Sequence, residues 1–361
     1  MLNVATFGMH VLGHPRRALL TGGRMARGCE LCFPGLKAVI FVTGECDEGC
    51  YYCPVDRERF GRAVMYVNDE RAQSVDDVID EVQRQGAAGA SITGGDPLAD
   101  LPLTLKVIRA LKEAMGPRFH IHLYTPGRYA TPDALVALWR AGLDEIRFHP
   151  VSPKYVEGLR LAKRLTGMSV GAEVPIGPGL EGWVKRVIEE VDRAGGDFVN
   201  LDELEFAEPN EAALRMRGLR PSDERWPAAE GALRSAISVL EWAAENARVP
   251  VHFCPASFKD EIQVANRLRR TSARDLAWHE VALPDGTVAW GEAVGEGGEV
   301  VGLFNPVTGE SYIFGGRPAA YRALVARPTS SRSPVLCEAY GQTPEEAVRA
   351  CGLGVAPGGR G

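Results

Sequence analysis

The chain has 361 residues, 45% hydrophobic and 24% charged, with a net charge of −6. These values suit a soluble globular protein, either one large α/β domain with an appendage or two domains, and give no prior for nucleic acid. No apolar run approaches the length needed to span a bilayer, so no membrane role is expected.

Residues 1–28 are rich in Gly and Arg, show little periodicity and carry no signal-peptide pattern. They read as an irregular leader. Gly28-Cys29-Glu-Leu-Cys32-Phe-Pro-Gly35 then forms a C-x2-C knuckle. Two ligands are too few for zinc or a cluster, so a partner must come from elsewhere. Cys254, just beyond the apolar stretch Val249-Pro-Val-His-Phe, is the best candidate, with His252 as a weaker fourth. A second metal site, zinc or auxiliary iron–sulfur, is therefore expected at Cys29, Cys32 and Cys254. The plainer alternative is two reduced cysteines in a turn and a strand-end histidine that is only hydrogen-bonded.

Residues 38–43 are an apolar run that reads as a buried first strand. It empties into Glu45-Cys46-Asp-Glu-Gly-Cys50-Tyr-Tyr-Cys53-Pro54, a C-x3-C-x2-C triplet. Three thiolates can hold three irons of a [4Fe–4S] cube and leave the fourth open, whereas four cysteines would close it. A structural zinc site favours paired knuckles, and a disulfide framework belongs in a short secreted chain. The eight cysteines cluster in a way that suggests metal, and a reducing cytoplasm suits them.

Beyond the triplet, short apolar runs alternate with helical patterns, which is the signature of βα units and a parallel sheet. Apolar residues at 75, 78, 79 and 82 mark a helical face between Ser74 and Gly86. Strands are expected at Ala90–Thr93, Phe119–Tyr124, Glu145–Phe148, Met168–Val174 and Phe198–Phe206. Helices are expected at Leu101–Met115, Thr131–Ala141, Tyr155–Leu165 and Gly182–Ala194. Six consecutive βα units without a dinucleotide fingerprint favour a partial (β/α)6 TIM-like barrel over a doubly wound sheet. Its reactive face would be the C-terminal ends of the strands.

An amphipathic helix is expected near Ala228–Asn246 and another stretch at Glu261–Arg270. The latter carries Arg267, Arg269 and Arg270, read as a solvated basic face. From about 275 the pattern turns to strands, with a hairpin around Asp285-Gly286 and further strands at Val300–Phe304 and Ser311–Phe314. Cys337 and Cys351 stand alone and read as small hydrophobes. A short helix, Thr343–Cys351, precedes a Gly-rich tail expected to be flexible. The domain reading is a knuckle segment over 1–36, a barrel with flanking helices over 37–274, and a small C-terminal β-rich appendage over 275–361.

The cysteine triplet resembles the signature of the radical S-adenosylmethionine (radical SAM) superfamily. Tyr52, before the third cysteine, is aromatic as in that family. Ser91-Ile-Thr-Gly94-Gly95-Asp96-Pro97 resembles its Gly-Gly-Glu-Pro motif, with Asp for Glu. His120-Ile-His-Leu-Tyr-Thr125-Pro-Gly127 and Val170–Gly179 resemble strand ends of archaeal proteins related to pyruvate formate-lyase activating enzymes, with Pro126 where Asn is usual. The resemblance covers roughly residues 37–205. It implies a [4Fe–4S] cluster on Cys46, Cys50 and Cys53, S-adenosylmethionine on the open iron, and an electron donor such as ferredoxin or flavodoxin. Gly94 and Gly95 would let backbone approach the methionyl ammonium. Asp96 would favour that cation or shape the loop with Pro97, Tyr52 would lie near the adenine, and Thr125 would complete the cofactor site.

Glu173, Asn200 and Asp202 form the next group of candidate cofactor or substrate residues. Alternation puts Asn200 and Asp202 on one face, with Leu201, Glu203 and Glu205 on the other. Carboxylates that merely meet solvent or Arg are as good a reading of that pattern. His149 is a further candidate for hydrogen bonding to a ribose. The expected function is a radical SAM enzyme acting on an undetermined small molecule, protein or tRNA. Glycyl-radical-enzyme activase is one variant of it. The competing classes are a non-catalytic iron–sulfur electron-transfer protein and a zinc-binding RNA module, the latter weakened by the acidic balance.

Overall fold

The computed structural model describes residues 5–7, 11–14, 18–151, 154–223, 227–328 and 335–353. It divides into two compact units, residues 1–83 with 87–263, and residues 84–86 with 264–361.

In the first unit, seven strands run parallel in chain order: β4 (Lys37–Thr43), β7 (Gly89–Gly94), β8 (His120–Thr125), β9 (Glu145–Phe148), β10 (Ser169–Ile176), β11 (Phe198–Glu203) and β12 (Val251–Cys254). Helices α3 (Leu101–Met115), α4 (Pro132–Ala141), α5 (Tyr155–Leu165) and α6 (Glu181–Arg193) fill the crossovers from β7 to β11. Past β11 come α7 (Glu211–Met216) and α8 (Ala232–Asn246), and α2 (Val75–Gln85) precedes β7. The sheet is open rather than closed. Beyond β4 it continues antiparallel into β5 (Met65–Val67) and β6 (Glu70–Ala72). Beyond β12 it continues antiparallel into β3 (Ala18–Leu20), β2 (Val11–His14) and β1 (Ala5–Phe7).

Local chemistry explains these elements. Asp100 accepts the Leu103 N–H and Thr131 the Ala134 N–H, capping α3 and α4, and both helices carry proline in the first turn. Gly142 ends α4 in the left-handed conformation, φ 108°. The apolar faces of these helices meet the strands through Ile92, Leu111, Leu123, Leu135, Leu138, Ile146 and Val187. Each such buried side chain contributes roughly 1.5–3 kcal/mol.

Three expectations change here. The leader is not irregular over its described part, because residues 18–20 supply the antiparallel neighbour that β12 needs on its outer edge. The parallel run has seven strands, not six, since β12 pairs with β11 in the same direction. The helix expected from Ala228 starts at Ala232, because Ala228 and Ala229 bridge to Glu205 and Pro221.

The second unit is an antiparallel sheet of β13 (Glu280–Ala282), β14 (Val288–Val294), β15 (Val300–Phe304), β16 (Ser311–Ile313), β17 (Ala320–Ala326) and β18 (Val335–Gly341). The helix Pro344–Ala350 packs on it through Ala347 and Val348 against Phe304 and Ala323. Cys337 and Cys351 are not lone thiols but a disulfide, with Cα atoms 5.9 Å apart. The helix follows β18 directly and carries Cys351 back to Cys337 on that strand. The arginines of residues 261–270 are a solvated face only in part, since only Arg269 is exposed and Arg270 is half-buried. Arg267 is buried, Arg269 donates to the Pro284 carbonyl and Arg270 to the Gly86 carbonyl. The tail expected to be flexible lies, past residue 353, outside the described residues. Among the described residues no helix is long and apolar enough to cross a membrane.

Candidate active site

The three cysteines sit in the loop that leaves β4. All are free and partly buried, and a turn joins the Cys53 N–H to the Cys50 carbonyl at 3.1 Å. The Glu48 N–H lies 3.5 Å from the Cys46 sulfur. Burial raises all three thiols, Cys50 to about 11 with help from its two cysteine neighbours. Without a metal they are therefore protonated thiols at neutral pH.

The root of this loop is pressed against the end of β7. Gly95 donates to the Thr43 carbonyl and Asp96 N–H to the Glu45 carbonyl, both at 2.7 Å. A Cβ on Gly95 would stand 2.3 Å from the Glu45 oxygen, and one on Gly94 2.2 Å from the Thr43 oxygen. The close approach these glycines permit is thus first of all that of their own chain. Asp96 is 1% exposed. One carboxylate oxygen accepts from the Leu98 N–H (3.1 Å) and the Thr125 hydroxyl (2.9 Å). The other has no partner among the described residues. Burial pushes Asp96 up to about 6 against those two hydrogen bonds. Pro97 opens the short turn that follows.

Tyr52 does not stand alone as an aromatic plate. Its hydroxyl lies 3.0 Å from His149 Nε2, and His149 Nδ1 lies 2.9 Å from the Glu173 carbonyl. The carbonyl can only accept, so Nδ1 carries the proton and Nε2 accepts from Tyr52. Burial lowers the His149 pKa, consistent with this neutral form. The same hydroxyl also bonds Cys50.

Deeper in, Glu173 accepts from Arg147 Nη1 (2.6 Å) and Asn200 Nδ2 (2.9 Å). Burial alone would raise Glu173, but Arg147 overrides it, aided by Asp202 and Asn200, and holds it near 2. Asp202, hydrogen-bonded to Glu173, is pushed up to about 8 by burial and by the Glu173 charge, with Lys259 opposing. The two carboxyl groups therefore share one proton at neutral pH. Lys259 pairs with Glu205 at 2.9 Å. Leu201 is buried in the helix-facing core, and Glu203 accepts the Ala256 N–H.

One cavity of about 450 Å³ gathers most of these groups. It is lined by Cys46, Cys50, Tyr52, Cys53, Gly94, Gly95, Thr125, His149, Glu173, Asn200 and Asp202, and also by Cys29, Cys32, His252 and Cys254. Asp96 and Pro97 follow directly after the lining glycines and are not among the lining residues. A larger cleft, about 570 Å³ and lined by Arg71, Gln73, Ser74 and Lys106, contains no thiol.

Helix α1 (Arg27–Cys32) crosses the foot of the strands. Gly28 N–H reaches Glu145 at 3.2 Å, and a Cβ there would stand 2.4 Å from His122 and 2.6 Å from Arg147. Burial pushes Cys29 up to about 12, against the pull of the Arg147 charge. Sequence reasoning missed Lys37, His122, Tyr124, Glu145, Arg147 and Lys259. Four of them carry a legible signal: Glu145-x-Arg147-x-His149 and His120-x-His122-x-Tyr124 alternate on strands whose neighbours are apolar.

The donor set fits a thiolate-held iron–sulfur cluster: three free thiols on one loop face a cavity. The unpartnered oxygen of Asp96 fits a cationic or hydrogen-bond-donating neighbour.

A sequence profile described as the Radical SAM superfamily matches residues 40–164. A Methanocaldococcus jannaschii protein that carries the provisional name glycyl-radical enzyme activating enzyme is 33% identical over 278 residues, 74% of this chain and 73% of its own. Streptococcus suis SuiB bound to S-adenosylmethionine superimposes with a TM-score of 0.43 at 11% identity, over 61% of this chain and 50% of that one. Coproporphyrinogen III oxidase of Escherichia coli, described as a radical SAM enzyme, gives a TM-score of 0.39 at 14% identity, over 79% and 65%. The chain spans about half the length of SuiB.

Proposed function

Because the chain belongs to the radical SAM superfamily, we propose that it is an enzyme that cleaves S-adenosylmethionine reductively, at a [4Fe–4S] cluster held by Cys46, Cys50 and Cys53. The observation that carries this is the shared cavity, whose walls bring the cysteine loop, Gly94–Gly95 and the Glu173–Asn200–Asp202 group together. When bound and reduced by an external donor, the cluster would supply one electron to the sulfonium of S-adenosylmethionine, whose C5′–S bond would break to give methionine and a 5′-deoxyadenosyl radical.

The chain's own residues bind and orient. Gly95 and Asp96 fasten the loop root to β7 and so fix where the three sulfurs stand. Asp96, with one oxygen unpartnered, favours a cationic amino group near the end of β7. Tyr52, held by His149, sets the wall beside Cys50. Asn200 and Arg147 fix Glu173 as an acceptor for hydroxyl groups, while Asp202 presents a proton. We read the sequential, singly wound strands as a partial (β/α) barrel whose lumen is this cavity. An electron carrier needs no such cavity.

The substrate is undetermined. The name of the archaeal relative favours an activase acting on a glycyl-radical enzyme, with a protein substrate and an external reductant such as ferredoxin or flavodoxin. Six of the eight cysteines are free, which suits a reducing compartment, the cytoplasm.

The test is anaerobic reconstitution, reduction with dithionite and assay for 5′-deoxyadenosine. The wild-type chain is expected to form it, and Cys50→Ala to lose both the product and the cluster's EPR signal. An intact, reducible cluster that never yields product would sink the proposal.

A further inference from the structure

We propose that Cys29, Cys32 and Cys254, with His252 beside them, hold a second iron–sulfur cluster at the foot of the same cavity. The inference takes from the proposed function only the assignment of Cys46, Cys50 and Cys53 to the first cluster.

Two elements far apart in sequence deliver the four side chains. Cys29 and Cys32 are three apart on α1 and share one helical face. His252 and Cys254 are two apart on β12 and share one strand face. All four line the cavity that the first triplet lines at its mouth. All three thiols are free.

His252 is an independent pointer to a ligand. It is 4% exposed, and Nδ1 meets the Asn200 side-chain oxygen at 3.3 Å. Its Nε2 is buried and has no partner among the described residues. An unsatisfied buried ring nitrogen is costly, and an imidazole whose other nitrogen is already oriented is ready to bind metal.

The surroundings suit sulfur that carries charge. Asn200 Nδ2 donates to the Cys29 sulfur at 3.4 Å, and the Lys37 ammonium bonds Cys32. Arg147 acts on Cys29 and Lys259 on Cys254 through their positive charges. Buried thiolates need such compensation, and hydrogen bonds to sulfur tune a cluster's potential.

The spacing favours a cluster over zinc. Among the described residues no three His, Cys, Asp or Glu side chains converge closely enough to hold one metal ion. Tetrahedral zinc requires that convergence. A cluster spreads its ligands over separate irons, so its thiolates need not meet at one point.

The test counts iron and acid-labile sulfide after anaerobic reconstitution. Three chains are compared: the wild type, Cys46→Ala/Cys50→Ala/Cys53→Ala, and that variant with Cys29→Ala and Cys32→Ala added. Two cubes bring about eight irons to the wild type and leave about four in the triple variant. The fivefold variant is expected to hold none. A triple variant that is folded by circular dichroism yet holds no iron, or holds zinc, overturns the proposal. Should that variant not fold, the wild-type count decides: about four irons rather than eight overturns it alone. A wild-type chain with both clusters and no S-adenosylmethionine cleavage would defeat the proposed activity and support this site.

Discussion

The Tyr52 hydroxyl and His149 Nε2 stand 3.0 Å apart, joining the cysteine loop to the end of β9. His149 is in turn fixed on the Glu173 carbonyl at 2.9 Å. Removing the hydroxyl with Tyr52→Phe leaves the ring in place and the His149 acceptor empty. The expected result is unchanged iron content with 5′-deoxyadenosine formation reduced roughly fivefold, from a net hydrogen bond of about 1 kcal/mol. Parallel iron analysis and product assay check both halves.

Gly95→Ala tests the root of the cysteine loop. The new Cβ would meet the Glu45 carbonyl oxygen at 2.3 Å, a backbone atom that cannot rotate away. The loop must shift, so the variant should stay folded by circular dichroism and fail to retain the first cluster. Normal cluster content would show that the approach is not needed.

Arg147 is the buried cation between Glu145 and Glu173, with 2% of its side chain exposed. Arg147→Ala strands Glu145, whose side chain is fully buried. A loss of about 3–5 kcal/mol in urea unfolding is expected. Adding Glu145→Gln should recover part of it, since the stranded charge is the main cost.

The proton on Asp202 gives a pH signature. Its pKa is raised in the folded chain to about 8 from the model-peptide value of 3.8. Between those limits the folded state holds a proton that the unfolded state has released, so stability falls as pH rises and levels off above about 8. Glu173 works in the opposite sense. Its depressed pKa, about 2, adds stability above its unfolded value that is lost as pH falls toward 2. Thermal melts from pH 6 to 9 should show a falling midpoint in the wild type and a flatter one in Asp202→Asn. Parallel curves would rule out the shared proton.

Much of the first unit was legible because its periods are simple. Strands such as residues 38–43 and 145–148 are short apolar or alternating runs, and helices such as α3 and α4 carry their caps in sequence. Distance along the chain hid the rest. Residues 18–20 join the main sheet because β12, more than two hundred residues later, offers an edge. Cys337 and Cys351 meet only because the last strand of the second unit turns directly into its helix. At the candidate site, the cysteine loop and Gly94–Gly95 were readable as motifs. The roles of Arg147, Lys37 and Lys259 were not, since a charge inside a sheet is explained only by the partners facing it.

Helix α1 also makes position 28 a filter on the sequence. Its Gly28 N–H is held by the Glu145 carboxylate at 3.2 Å, and a Cβ there would stand 2.4 Å from His122 and 2.6 Å from Arg147. Any side chain larger than hydrogen must displace those two groups or the helix, so a substitution at residue 28 reaches Cys29 and the Glu145–Arg147 pair together.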